Sequence, residues 1–135
     1  MPYLYLPSLE ALAEWCSVLM IAVRAGADTH HAVDANILRK LGEDGYVVNI
    51  ARGSVIDQTA LIAALEAKTI AGAGLDVYAS EPHPPDALTS FPNVVLTPHI
   101  GGHTLESHTA MQDCVIANLE AFFAGRALPY AVREA

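Results

Sequence analysis

A chain of 135 residues makes one domain or part of one. Its 53% hydrophobic content can build a core, and 16% charged residues is too few for a disordered chain. A net charge of −8 argues against a nucleic-acid-binding face or an anionic-membrane partner, while leaving room for one arginine to hold a small anion.

Ser8 has the chemistry of a helix N-cap, and Leu9, Leu12, Ala13 and Cys16 fall on one face of a short helix behind it. Val18 to Val23 is an unbroken apolar run, too short for a buried helix, and reads as a strand covered on both faces. Arg24 to His31 is a polar loop containing Gly26. Asp34 caps a helix over Ala35 to Leu41 that stops at Gly42. Tyr46 to Ile50 is a second buried strand. Asp57 begins a third helix with Leu61, Ile62 and Leu65 as its apolar stripe. Ile70 to Val77 is a third strand, and its glycines Gly72 and Gly74 imply close packing against a neighbour. Pro82, Pro84 and Pro85 mark a rigid loop. Val94 to Leu96 is a fourth strand, ended by Pro98. Thr104 caps a long helix that runs to about Ala124 and ends at Gly125.

Strands alternating with helices predict an α/β fold: a parallel, Rossmann-like sheet of about four strands with flanking helices and right-handed crossovers. No run of about twenty apolar residues is free of breakers, so no membrane span is expected. The start, MPYLYLPSLEALAEW, has no basic segment followed by an apolar run and so no secretory signal, which makes a cytoplasmic protein the default. Cys16 and Cys114 are expected as reduced core thiols. Trp15 and the tyrosines 3, 5 and 130 are expected to pack.

In open parallel sheets, ligands bind outside the carboxyl ends of the strands. Those ends here read Val23-Arg24, Ala51-Arg52, Asp76-Val77 and Thr97-Pro98-His99. Arg52 brings a planar fork that matches a carboxylate with two hydrogen bonds. His99 follows a proline and is expected in extended backbone, with Gly101 and Gly102 letting another molecule approach. Glu81 lies in the loop leading to the last strand, where a carboxylate beside His99 would favour the protonated ring. An anion clamp next to a partnered histidine suits proton transfer at an oxygen-bearing carbon beside a carboxylate.

The stretches NIARGSVID, AGAGLDVYASEP and NVVLTPHIGG, in this order, resemble the D-isomer-specific 2-hydroxyacid dehydrogenase family, and most of all its glyoxylate/hydroxypyruvate reductases. The resemblance runs from about Leu9 to Leu128. It implies catalytic roles for three residues: Arg52 on the substrate carboxylate and carbonyl oxygen, His99 as proton donor, and Glu81 as the partner of His99. It implies NAD or NADP as cofactor. Asp76 would orient the nicotinamide carboxamide, and Val23, Arg24, Ile50, Ala51, Arg52, His99, Gly101 and Gly102 would line the cofactor. The partner would be a small 2-oxo or 2-hydroxy acid, and a homo-oligomer is expected. No residue is assigned to a metal.

Two departures qualify the resemblance. Arg24 stands where many members carry proline, and no G-x-G-x-x-G follows a strand, Gly72 and Gly74 lying inside one. Residues 1–135 are therefore expected to form the carboxyl-terminal part of an NAD(P)-binding domain, with the helix at about 104–124 returning toward a substrate domain. The isolated chain is expected to be inactive and to hold the dinucleotide weakly. The alternative is a non-catalytic remnant or association module that pairs through an exposed sheet edge. Structural readings stand beside the chemical ones: Arg52 paired with Asp57, Glu81 as a solvated loop acid, Asp76 as a strand-end cap, and His30-His31 as a polar loop pair. The spacing of His99, His103 and His108 does not suit a zinc site.

Overall fold

The computed structural model describes residues 3–132. The chain divides into two compact units, Met1–Gly101 and Gly102–Ala135. The first unit holds the sheet. Its elements in order are α1 (Leu9–Trp15), β1 (Val18–Ile21), α2 (Ala35–Leu41), β2 (Tyr46–Asn49), α3 (Gln58–Glu66), β3 (Gly72–Leu75), α4 (Asp86–Thr89) and β4 (Val94–Leu96). The second unit is built on α5 (Leu105–Phe123).

The four strands lie in the order β1-β2-β3-β4 and all pair in parallel. Tyr46 is opposite both Val18 and Gly72, and Leu75 is opposite Leu96. Helices sit where local chemistry satisfies their first free N–H groups. The Ser8 hydroxyl accepts from the Ala11 amide, Asp34 from Asn36 and Ile37, and Asp57 from Thr59 and Ala60. Gly42 ends α2 at φ +83°, a conformation that a side chain resists. In the second unit Thr104 caps α5, its hydroxyl accepting from the Ser107 amide. The four predicted caps hold, as do the two predicted stops, at Gly42 and Gly125.

Leu38, Leu61, Ile70 and Leu88 are the largest apolar side chains fully inside the first unit. Truncating any of them to alanine removes dispersion contacts and leaves a void, a change costing about 2–5 kcal/mol. The first strand departs from expectation. Val18 and Met20 are 52% and 60% exposed while Leu19 and Ile21 are buried, so β1 has one open face. An apolar run reveals that a strand can be buried, but its neighbours decide whether it is. Tyr46 at the start of β2 is likewise half exposed. Trp15, Tyr3, Tyr5 and Tyr130 are exposed rather than packed. Cys16 and Cys114 are free thiols of intermediate exposure, not fully buried, with Cys16 against the core of the first unit. The proline loop also contains the short helix α4, whose Leu88 is buried at 0% exposure. In α5, Leu105, Met111, Val115, Leu119, Phe122 and Phe123 are exposed.

Candidate active site

Parallel pairing puts every strand's carboxyl end on one edge of the sheet. That edge presents Arg24 after β1, Arg52 after β2, Asp76 after β3 and His99 after β4, all within the first unit. The backbones at the ends of β2 and β4 are two inter-strand steps apart, about 10 Å. That gap is wide enough for a small molecule to lie between an arginine and an imidazole.

Arg52 owes its position to a buried polar residue. Asn49, 1% exposed, ends β2; its side-chain N–H donates to the Arg52 carbonyl at 2.9 Å, and its Oδ1 accepts from the Ala51 amide at 3.0 Å. The preceding loop, at Val33 before α2, joins the same turn: the Val33 amide donates to the Val55 carbonyl at 3.0 Å, and the Asp57 amide to the Val33 carbonyl at 3.0 Å. The side chain of Asp57 is committed to its helix cap, and the only salt bridges among the described residues are Lys40–Glu14 and His99–Glu81. Arg52 is thus not paired with Asp57. It is exposed, and its side chain makes one internal bond, from Nη1 to the Ala51 carbonyl at 2.6 Å.

Gly53 is packed against the loop that carries Glu81. A β-carbon on Gly53 would run into the Tyr78 carbonyl and the Ala79 amide. The same two loops are tied by the Ala79 amide, which donates to Gln58 Oε1 at 3.1 Å. Gly53→Ala therefore has no room and must displace backbone. We expect it to destabilise the chain by roughly 1–3 kcal/mol, as for other overpacked sites, read as a lower denaturant midpoint.

Glu81 reaches His99, Oε2 lying 2.8 Å from Nδ1, while its other oxygen accepts from the Tyr78 amide at 3.3 Å. Glu81 is therefore not a free loop acid. A carboxylate offers only acceptors, so the proton of a neutral His99 ring resides on Nδ1 and Nε2 is left to exchange protons. The His99 side chain is 43% exposed, so that nitrogen can be reached. The backbone of His99 is left-handed at φ +57°, not extended as expected. A proline fixes its own φ and restricts the residue before it, but it places no such limit on the residue after.

Asp76 is 8% exposed and has both oxygens engaged. Oδ1 accepts from the Thr97 hydroxyl at 2.5 Å and the Ile100 amide at 2.9 Å, and Oδ2 from the Gly101 amide at 2.9 Å. The Thr97 hydroxyl, then the Gly101 and Ile100 amides and the charge of His99, hold this carboxyl below its ordinary value of 3.8 against the opposing effect of burial. A lowered value means that the folded state gains stability from the ionised form above the unfolded pKa, and loses it as pH falls toward the folded one. We expect the unfolding free energy to drop on acidification below about pH 4, and Asp76→Asn to reduce that slope in denaturant titrations across this range.

The ends of β1 and β2 enclose a concavity of about 570 Å³ lined by Ala22, Val23, Arg24, Ala25, Ile50, Ala51 and Arg52. Val23 and Ile50, each 48% exposed, present apolar surface there. Its volume is within the range of small-ligand sites. The Thr29 hydroxyl donates to the Arg24 carbonyl at 3.0 Å and closes the loop that carries Arg24. Gly101 ends the first unit and Gly102 opens the second, where it is exposed. Thus Arg24, Arg52, Asp76 and His99 share an edge, Glu81 is bonded to His99, and Gly102 belongs to the other unit.

Sequence reasoning missed Asn49, Thr97 and Gln58. Asn49 carried a signal, since asparagine is depleted in strands and this one interrupts the run VVNIA. Thr97 and Gln58 carried none. Among the described residues no three potential ligands of His, Cys, Asp or Glu type group around a point, and His103 and His108 stack edge to face at 5.2 Å. No helix there is long and apolar enough to cross a membrane.

A parallel sheet with arginine, aspartate and a carboxylate-bonded histidine along its carboxyl edge defines an α/β domain of the kind that binds ligands at that edge. Residues 2–101 match the D-isomer specific 2-hydroxyacid dehydrogenase, NAD binding domain, and the chain belongs to this family. It is 48% identical over 122 residues to 2-ketogluconate reductase of Gluconobacter oxydans, an alignment covering 90% of this chain and 39% of that protein. It is 42% identical over 126 residues to a glyoxylate/hydroxypyruvate reductase A of Arabidopsis thaliana, covering 93% and 40%. Among solved structures, the NADPH-dependent glyoxylate/hydroxypyruvate reductase of Sinorhizobium meliloti, in complex with NADP and malonate, superposes with a TM-score of 0.90 at 42% identity. That match covers 100% of this chain and 44% of the other. The chain thus spans about 40% of the length of the curated relatives it matches.

Proposed function

We propose that this chain contributes the proton-donating and carboxylate-binding part of a site for NAD(P)-dependent reduction of a small 2-oxo acid, of the glyoxylate or hydroxypyruvate type, to the D-2-hydroxy acid. The observation that carries the reading is the 2.8 Å contact of Glu81 with His99 on the same sheet edge as an unpaired Arg52. Arg52 holds the substrate carboxylate with its fork and polarises the carbonyl where negative charge develops. His99 gives the proton from Nε2 to that oxygen while Glu81 keeps the ring oriented through its bond to Nδ1. Val23, Arg24, Ile50 and Ala51 would hold the nicotinamide cofactor, with Asp76 and Gly101 of the same unit contributing from the ends of the next strands. When bound, that cofactor supplies the hydride.

The test joins this chain to the complementary part of the Sinorhizobium relative. Oxidation of NADH and NADPH is then followed with glyoxylate, hydroxypyruvate and 2-ketogluconate. Turnover with a 2-oxo acid that depends on Arg52 and His99 is the expected result, and a folded hybrid with no turnover on any of the three would overturn the reading.

A second reading is favoured by one observation. Among the described residues β1 pairs on one side only, and Val18 and Met20 lie open on it. A second copy of the chain covering this strand would make the protein an association module. Light scattering giving a monomer mass at tens of micromolar would remove that reading and leave the first intact.

A further inference from the structure

We propose that Asp76 is a positioning residue that acts through His99, its carboxylate clasping the turn from Thr97 to Gly101 and holding His99 in the left-handed backbone from which its ring meets Glu81. The inference rests on His99 being the proton donor, and it adds a role for Asp76 that is independent of any cofactor contact.

A non-glycine residue at φ +57° adopts a conformation that is unfavourable on its own, so it persists only where its surroundings fix it. The fixing groups flank His99 on both sides. Thr97, two residues before it, donates its hydroxyl to Asp76 Oδ1, and Ile100 and Gly101, the two residues after it, donate their amides to Oδ1 and Oδ2. Pro98 has no N–H to offer, and no described hydrogen bond ends on the His99 amide. The clasp therefore closes around His99 and leaves only its ring free to turn toward Glu81. Bonds to an ionised carboxylate are the strong kind, and three of them use most of its roughly four acceptor sites. At most about one site remains for a bound molecule. Asp76 is itself anchored, since its amide donates to the Asn49 carbonyl at 3.0 Å. The turn carrying His99 is thereby referenced to β2, the strand that also sets Arg52. Gly101 suits the arrangement, because a β-carbon there would meet Asp76 Oδ2 at 3.0 Å.

The experiment uses the 135-residue chain itself, by nuclear magnetic resonance. Amide hydrogen exchange is measured at Ile100, Gly101 and, as a reference in α3, Leu61, and the ring nitrogen shifts of His99 are recorded. In Asp76→Asn we expect exchange at Ile100 and Gly101 to quicken about tenfold to a hundredfold, with Leu61 little changed. The His99 ring shifts should move toward those of Glu81→Ala, although Glu81 is still present. Unchanged protection at Ile100 and Gly101, or His99 shifts that stay at their parental values, would overturn the proposal. So would a uniform acceleration that includes Leu61, because that is a loss of global stability and not of position. Should Asp76→Asn fail to fold, Thr97→Val removes one donor and keeps the carboxylate. It should move the His99 shifts part of the way, and no movement there also overturns the proposal. No catalytic readout enters, so a reconstituted enzyme that remained active as His99→Ala would remove the proton-donor reading while leaving the clasp itself measurable.

Discussion

In an enzyme reconstituted around this chain, His99→Ala lowers kcat for 2-oxo acid reduction by about 10²–10⁴-fold, the usual weight of a lost general acid. KM changes little, because the carboxylate end of the substrate is held elsewhere. The left-handed backbone at His99 makes a second substitution informative. Asparagine tolerates this conformation better than alanine does, so His99→Asn keeps the turn while removing the acid. Both variants should be equally impaired if the ring's chemistry is what matters. Activity retained in His99→Asn but lost in His99→Ala would instead mean that the turn's shape carries the effect. Glu81→Gln is expected to fall between parent and His99→Ala, since an amide oxygen can still orient Nδ1 but makes a weaker hydrogen bond than a carboxylate. Steady-state rates of the three variants at saturating substrate settle the assignment.

Arg52→Lys should reduce kcat/KM by about tenfold to a hundredfold, mostly through KM and partly through kcat. Lysine keeps the charge and a long stem, yet it cannot offer two parallel N–H groups to one carboxylate. Because Arg52 is exposed and its side chain makes a single internal bond, the substitution has little structural cost, and an unchanged thermal midpoint accompanies the loss. Arg52→Ala should be worse, since it removes the charge that stabilises the carbonyl oxygen as it gains negative character. A lysine variant with parental KM for glyoxylate and hydroxypyruvate would show that the substrate is held by another group.

The sequence by itself determined whatever depends on near neighbours in the chain. Helix starts at Ser8, Asp34, Asp57 and Thr104 were legible because a cap acts over two or three residues, and Gly42 and Gly125 stop helices for equally local reasons. The alternation of apolar runs with these helices was enough for a parallel sheet, and a parallel sheet is enough to bring Arg24, Arg52, Asp76 and His99 to one edge. The residue types at the strand ends, together with the three family stretches, marked where to look.

Tertiary structure decided what depends on partners far along the chain. Asp76 finds its three donors 21 to 25 residues away, and Glu81 meets His99 across 18. No periodicity encodes such pairings; they follow from which strand lies beside which. Proline geometry misled at His99 because its steric reach is to itself and to the residue before it, whereas the residues flanking His99 bond to a carboxylate at the end of β3. The open face of β1 was illegible for a similar reason. Val18 and Met20 are as apolar as Leu19 and Ile21, and only the arrangement of neighbours in space decides which of them leave water.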